Sequence, residues 1–192
     1  MTIQITDQQL ANISEYAGIP IAFTVSSVFD VTEDPKTPGK FLLNERQLSR
    51  PYVKDYDAIE GERPTDWAKR FDVSNWRMFE AYIDDRHVGG AVVALRTEGV
   101  TILEGRDDLA VIWDIRVSPS VRERGIGTAL LHAAENWAQE QGYRSLRVET
   151  QNINVAACRL YVAQGCALTA VNRGAYPQLP DEIQLIWEKA LQ

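Results

Sequence analysis

Cysteine, histidine and methionine are scarce, two of each in 192 residues. Cys158 and Cys166 are too few for a disulfide scaffold, and a chain of this length can bury a core without one. With no charged-then-apolar leader at the start, the expected setting is a reducing cytoplasm, with both thiols as reduced core residues. His87, in a turn, and His132, on a helical segment, have neither metal-ligand spacing nor triad partners, so no metal is expected. No apolar run approaches the ~20 residues of a membrane helix, which excludes a membrane-spanning reading. Lys and Arg number 20 against 27 Asp and Glu, a net charge of −7. That balance argues against a nucleic-acid partner and would attract a small cationic substrate, although acidity also serves solubility alone.

What is present is an ordinary globular composition, 45% hydrophobic and 24% charged, read as one domain over residues 1–192. Hydrophobic period and turn residues divide it near residue 75. In the variable N-terminal portion, 1–75, Ile21 to Val31 reads as a strand. Glu33 to Lys40 reads as a polar loop, and Asn44 to Asp57 as a weaker helical or irregular segment. From 76 to 192 the signals sharpen. Arg77 to Ile83 and Val88 to Arg96 form a hairpin across Asp84, Asp85, Arg86 and His87, with Gly89 and Gly90 weakening its second strand. Leu109 to Val117 is a strand ending at Ser118 and Pro119. Ile126, Leu130, Ala133, Ala134 and Trp137 then recur at helical spacing, and Gly142 ends that helix. Ser145 to Thr150 is a strand. Asn154 caps a helix over Val155 to Ala163, stopped by Gly165. Cys166 to Val171 and Glu182 to Glu188 complete a mixed α/β fold.

The most informative segment runs from Val111 through Pro119 to Arg122-x-x-Gly125-x-Gly127-Thr128, where a strand feeds a glycine turn at the mouth of a long helix. Glycines allow close backbone approach to a ligand. The first helical N–H groups have no partner within the helix and face the positive end of its dipole, so they suit a diphosphate. The glycines alone could equally shape a loop. No Lys-Ser or Lys-Thr follows them, which excludes a Walker loop, and the spacing is one residue short of the dinucleotide fingerprint.

Taken together, Val117-x-Pro119-x-x-Arg122-x-x-Gly125-x-Gly127 and Asn154-x-x-Ala157-x-x-x-Tyr161-x-x-x-Gly165 resemble the acetyl-CoA-binding core of the GNAT superfamily of N-acetyltransferases. The resemblance implies a mostly antiparallel central sheet with helices on both faces and a splayed strand pair that holds the cofactor, acetyl-CoA. It implies that the backbone of Ile115, Arg116 and Val117 pairs with the pantetheine arm. Arg122, Glu123, Arg124, Gly125, Ile126, Gly127 and Thr128 would then hold the diphosphate, Asn154 and Ala157 would line the arm, and Tyr161 would sit near the sulfur. Within the superfamily, Glu149-Thr150-Gln151-x-x-Asn154-x-x-Ala157-Cys158-x-x-Tyr161, Pro51-Tyr52-x-Lys54-x-Tyr56 and Tyr176 resemble the streptothricin acetyltransferases, which acetylate an amine of a β-lysine moiety. Cys166 departs from the aromatic usual after Gly165.

Transfer from a thioester to an amine needs a neutral amine, a polarised carbonyl and a proton for the departing thiolate. Asp114 and Glu149 are the candidate bases, each with the plainer alternative of pairing with Arg116 or Arg147. Tyr161 is a core aromatic by its spacing and the acid by the resemblance. Tyr52, Tyr56, Trp113, Asp114, Glu149 and Tyr176 are the acceptor-side candidates, whereas most tryptophans, Trp67 and Trp76 included, are expected in the core. A cofactor-binding module without chemistry, an acetyltransferase for another metabolite or protein amine, and a homodimer built through exposed sheet edges stay open alternatives.

Overall fold

The structure is a computed structural model that describes residues 2–10 and 13–191, so the expected domain bounds at 1 and 192 lie outside the described residues. The chain forms two compact units. The first comprises Met1–Phe23, Asp55–Leu146 and Ala190–Gln192, and the second Thr24–Lys54 and Arg147–Lys189.

The first unit is built on strands β1 (Gln4–Gln9), β4 (Arg77–Ile83), β5 (Arg86–Ala94) and β6 (Leu109–Val117), in that spatial order, each antiparallel to the next. Its helices are α1 (Ile13–Ala17), α2 (Trp67–Arg70) and α3 (Ile126–Glu140). β5 reads as a nearly unbroken apolar run because both of its faces are covered; it is buried from Val88 onward. α3 packs on one face through Ile126 and Leu130. Tyr16, Trp67, Trp76, Met78, Leu103 and Leu109 cover the other with Val92 and Ala94. The hairpin turn is Asp84-Asp85 alone, both at positive φ (48° and 60°), the geometry that short acidic residues tolerate in tight hairpins. Arg86 and His87 therefore belong to β5 rather than to the turn.

Gly89 and Gly90 do more than loosen the strand. A Cβ on Gly90 would sit 2.7 Å from Tyr16 Cε2 and 2.8 Å from the Phe79 carbonyl oxygen, and one on Gly89 would lie 2.9 Å from the Arg116 carbonyl. The register of β5 against β6 passes from Val92–Asp114 to Val93–Ile112, which leaves Trp113 as the extra residue of a β-bulge. A bulge re-aims neighbouring side chains. Here Trp113 joins the aromatic cluster, its ring 5.2 Å from both Phe71 and Trp76, while Asp114 turns to Tyr16.

In the second unit, β7 (Ser145–Gln151), β9 (Gln184–Ala190) and β8 (Ala167–Asn172) lie in that order, with β8 and β9 antiparallel. β2 (Phe23–Glu33) and β3 (Phe41–Lys54) form a separate two-stranded ribbon. This corrects the helical or irregular reading of 44–57: most of that segment is strand. α4 (Val155–Ala163) begins at Asn154, whose Oδ1 accepts from the Ala157 N–H at 3.2 Å, and stops before Gly165 at φ +81°. No described helix is long and apolar enough to cross a membrane.

Candidate active site

In the first unit, β6 ends at Val117 and a single 3-10 turn, Pro119–Val121, leads into the glycine segment. Glu123 and Gly125 take positive φ (62° and 82°), and the space beside Gly125 is open, with no atom within 4 Å of where a Cβ would stand. α3 starts at once, with no side chain capping it. Its first intrahelical bond runs from the Ala129 N–H to the Gly125 carbonyl at 3.0 Å. The amides of Ile126, Gly127 and Thr128 precede that bond and so have no carbonyl within the helix to meet. An uncapped helix start behind a Cβ-free cradle fits the diphosphate of a nucleotide cofactor.

Arg122 is not aimed into that cradle. Its Nε donates to the Val117 carbonyl at 2.9 Å and its Nη2 to the Pro20 carbonyl at 3.1 Å, so its charge braces the turn, and burial lowers its pKa from the ordinary arginine value. Arg124 and Glu123 are exposed. Along β6, Ile115, Arg116 and Val117 stand opposite Ala91, Gly90 and Gly89. The Ser118 N–H donates to the Val88 carbonyl at 2.8 Å. Since successive N–H groups of a strand point to opposite edges, that of Val117 points away from β5.

Asp114 and Arg116 form the charged centre of this unit. Arg116, its side chain 1% exposed, donates to both oxygens of Asp114 at 2.9 and 2.8 Å. It also donates to both oxygens of Asp57 at 3.0 and 3.3 Å, and to the Ile19 carbonyl at 3.1 Å. Its guanidinium lies 5.0 Å from the centre of the Tyr16 ring, and the Tyr16 hydroxyl donates to Asp114. Burial pushes the Tyr16 phenol well up and the Asp114 carboxylate adds to the rise. Burial pulls the guanidinium down, but its hydrogen bonds and attraction to Asp114 outweigh that, and it stays charged. The plainer alternative for Asp114, an arginine partner on the same strand, is what the geometry displays. Neither Tyr16 nor Asp57 was legible as a partner, because they lie 98 and 59 positions from the groups they bind. Tyr56, next to Asp57, stands 6.3 Å from Phe23 ring to ring.

In the second unit Glu149 accepts from the Tyr176 hydroxyl and, at 2.9 Å, from Gln184 Nε2, while Gln151 Nε2 donates to Tyr176 at 2.9 Å. Burial, then the Glu149 charge, drives the Tyr176 phenol far above its ordinary value, which keeps it a donor. Arg147 donates to Glu188 at 2.7 Å. Lys54 pairs with buried Glu182, and the half-exposed Tyr52 is raised by burial, then by Glu182 and Asp181. Tyr161 is buried, 6.3 Å from Trp187 ring to ring. Thus the structure unites Glu149 with Tyr176, and Asn154 with Ala157 at the start of the helix that carries Tyr161. Cys158 is buried, its thiol pushed up to about 12 by burial, which marks it as inert.

A mixed, mostly antiparallel α/β architecture with a cradle that fits a nucleotide diphosphate defines a class of nucleotide-cofactor-binding α/β proteins. A model of the acetyltransferase (GNAT) family matches residues 42–166. The chain is 30% identical over 190 residues to a streptothricin acetyltransferase of Escherichia coli, covering 97% of this chain and 94% of that one. It is 28% identical over 151 residues to streptothricin acetyltransferase A of Bacillus subtilis (strain 168), at 78% and 79% coverage. A crystal structure from Bacillus anthracis str. Ames in complex with acetyl coenzyme A has the same fold, with a TM-score of 0.76, 20% identity, and 98% and 99% coverage. The chain belongs to the GNAT family and is an acetyl-CoA-dependent N-acetyltransferase.

Proposed function

We propose that the chain transfers the acetyl group to the β-lysine amine of streptothricin, by direct attack in a ternary complex. The names of its relatives motivate the acceptor. One observation carries the reading: Glu149 accepts from the Tyr176 hydroxyl and from Gln184 Nε2, which gathers two acceptor-side residues, Glu149 and Tyr176, at one carboxylate. A carboxylate at that place suits a lysine-like ammonium. At pH 7 only about one such amine in a thousand is neutral, so a base or a desolvating site is required.

Acetyl-CoA supplies an acetyl thioester. The amides of Ile126, Gly127 and Thr128 hold its diphosphate, and Ile115, Arg116 and Val117 pair with its arm, with Asn154 and Ala157 alongside. The Val117 N–H polarises the thioester carbonyl. Glu149 takes the amine proton directly or through water, and the Tyr161 phenol gives one to the departing thiolate. Asp114 is a positioning residue, since its oxygens accept from Arg116 and Tyr16. Tyr52, Tyr56, Trp113 and Tyr176 belong to the acceptor side. The test is release of free thiol from acetyl-CoA on adding streptothricin, alongside a panel of other amines. Turnover confined to streptothricin-like amines supports the reading, and a background rate with streptothricin rejects that substrate. Tyr161→Phe should lower kcat by ~10²-fold or more while sparing the KM for acetyl-CoA; an unchanged rate removes the acid role.

A further inference from the structure

In the second unit β7 ends at Gln151, and the next residue, Asn152, is buried and hydrogen-bonded on two sides. On one, its N–H donates to the Ile183 carbonyl at 3.1 Å and its Oδ1 accepts from the Ile183 N–H at 2.8 Å. On the other, its carbonyl accepts from the Phe29 N–H at 2.9 Å and its Nδ2 donates to the Phe29 carbonyl at 3.0 Å. The carboxamide thus stands in for a peptide group, offering an acceptor to one segment and a donor to another, 31 and 123 positions away. Aspartate has the shape but no donor, and leucine has the size but would leave two buried backbone groups unmet.

Ile183 is the residue from which the surroundings of Glu149 are set. Gln184, next along the chain, donates to Glu149 at 2.9 Å, and Glu182, just before, pairs with Lys54 of β3. Two turns carry the same stretch back to Tyr176. The Glu182 N–H donates to the Leu179 carbonyl and the Leu179 N–H to the Tyr176 carbonyl, both at 2.9 Å, and the Tyr176 hydroxyl donates to Glu149. Tyr176 and Gln184 therefore reach one carboxylate from either side of the residue that Asn152 holds. We infer that Asn152 is a positioning residue for acetyl transfer: by pinning Ile183 it sets Tyr176 and Gln184 against Glu149, and so fixes where the amine sits. The bonds to Phe29 brace the carboxamide from the β2–β3 ribbon. The inference rests on the reading of Glu149 as the acceptor-side carboxylate, and it adds a residue that acts only through others.

Steady-state kinetics of the full chain read this role, with streptothricin or, where that stays at background, with the amine of the panel acetylated fastest. Asn152→Asp keeps the shape and loses the donor to Phe29. At pH 8 it should raise the KM for the amine about tenfold, the scale of a buried hydrogen bond left unmade, and leave the KM for acetyl-CoA within about twofold. Protonation gives that carboxyl one donor and one acceptor, and burial favours the protonated form, so the ratio of its amine KM to that of wild type should shrink as the pH is lowered to about 6. Asn152→Ser, whose short side chain admits water, should show the same split without the recovery, and it decides the matter if Asn152→Asp does not fold. A fall in kcat with both KM values unchanged, as loss of folded enzyme gives, overturns the inference. Glu149→Gln separates it from the reading beneath. An amine KM and rate that Glu149→Gln leaves intact overturn that reading and the inference with it, as do background rates with every amine. A Glu149→Gln defect beside an unaltered amine KM in the Asn152 variants overturns the inference alone.

Discussion

Removing the Arg116 guanidinium is the sharpest perturbation of the first unit. In Arg116→Met the apolar stem stays and five hydrogen bonds go, two to Asp114, two to Asp57 and one to the Ile19 carbonyl. The Asp114 side chain is 8% exposed and that of Asp57 19%. Asp114 would then be a buried carboxylate with the Tyr16 hydroxyl as its remaining recorded donor. Breaking a buried ion pair by deleting one member costs roughly 3–5 kcal/mol, a large share of the ~5–15 kcal/mol that keeps a domain folded. Asp57→Asn leaves the Asp114 pair intact and water can reach the site, so its cost should be about 1 kcal/mol. Urea unfolding of the two variants, with Arg116→Met/Asp114→Asn as a third, reads the difference. The double variant should recover part of the loss, because no unpaired charge stays buried. An Arg116→Met cost no larger than that of Asp57→Asn would refute the view that this network is a buried electrostatic unit.

Gly90→Ala should destabilise by ~1–3 kcal/mol or more, because its Cβ meets the Tyr16 ring and the Phe79 carbonyl below 3 Å. Gly174→Ala, with nothing nearer than 3.8 Å, should stay within about 0.5 kcal/mol, and equal melting shifts for the two would contradict the close-approach argument. The Cys158 thiol, raised by burial from 9.0 to about 12, should resist a disulfide reagent at pH 8 until the protein unfolds, and prompt labelling of the native protein at this residue would count against its burial. Because that folded value is raised, its contribution to stability is complete below 9 and is lost as pH climbs toward about 12, so unfolding midpoints of wild type should fall faster across that window than those of Cys158→Ala.

The elements that were legible in the sequence are those whose own residues dictate them. β6 runs from Leu109 to Val117 as expected, and α3 and α4 fall between the glycines at 125, 142 and 165, all at positive φ. β3 was not legible, because a ribbon strand exposed along most of its length has little apolar alternation, and Asn44 to Gln47 resemble a polar helix face. β1, six polar-rich residues, is a strand because β4 offers it an edge. Gly89 and Gly90 read locally as weak strand residues, whereas their reason is Tyr16 and the β6 backbone overhead, which no local pattern contains. The charged centre was half legible: Arg116 could be paired with Asp114 two residues away, but Asp57 and Tyr16 reach it only through the fold. Trp113 illustrates the same limit, since the bulge that places it among Trp67, Phe71 and Trp76 is a matter of register between strands.

A crystal of the full chain grown with saturating acetyl-CoA is the most direct trial of the claim that bare amides at the start of α3 clasp the cofactor. The diphosphate oxygens should lie ~2.7–3.2 Å from the nitrogens of Ile126, Gly127 and Thr128. A fully occupied cofactor whose diphosphate contacts none of those three would contradict it.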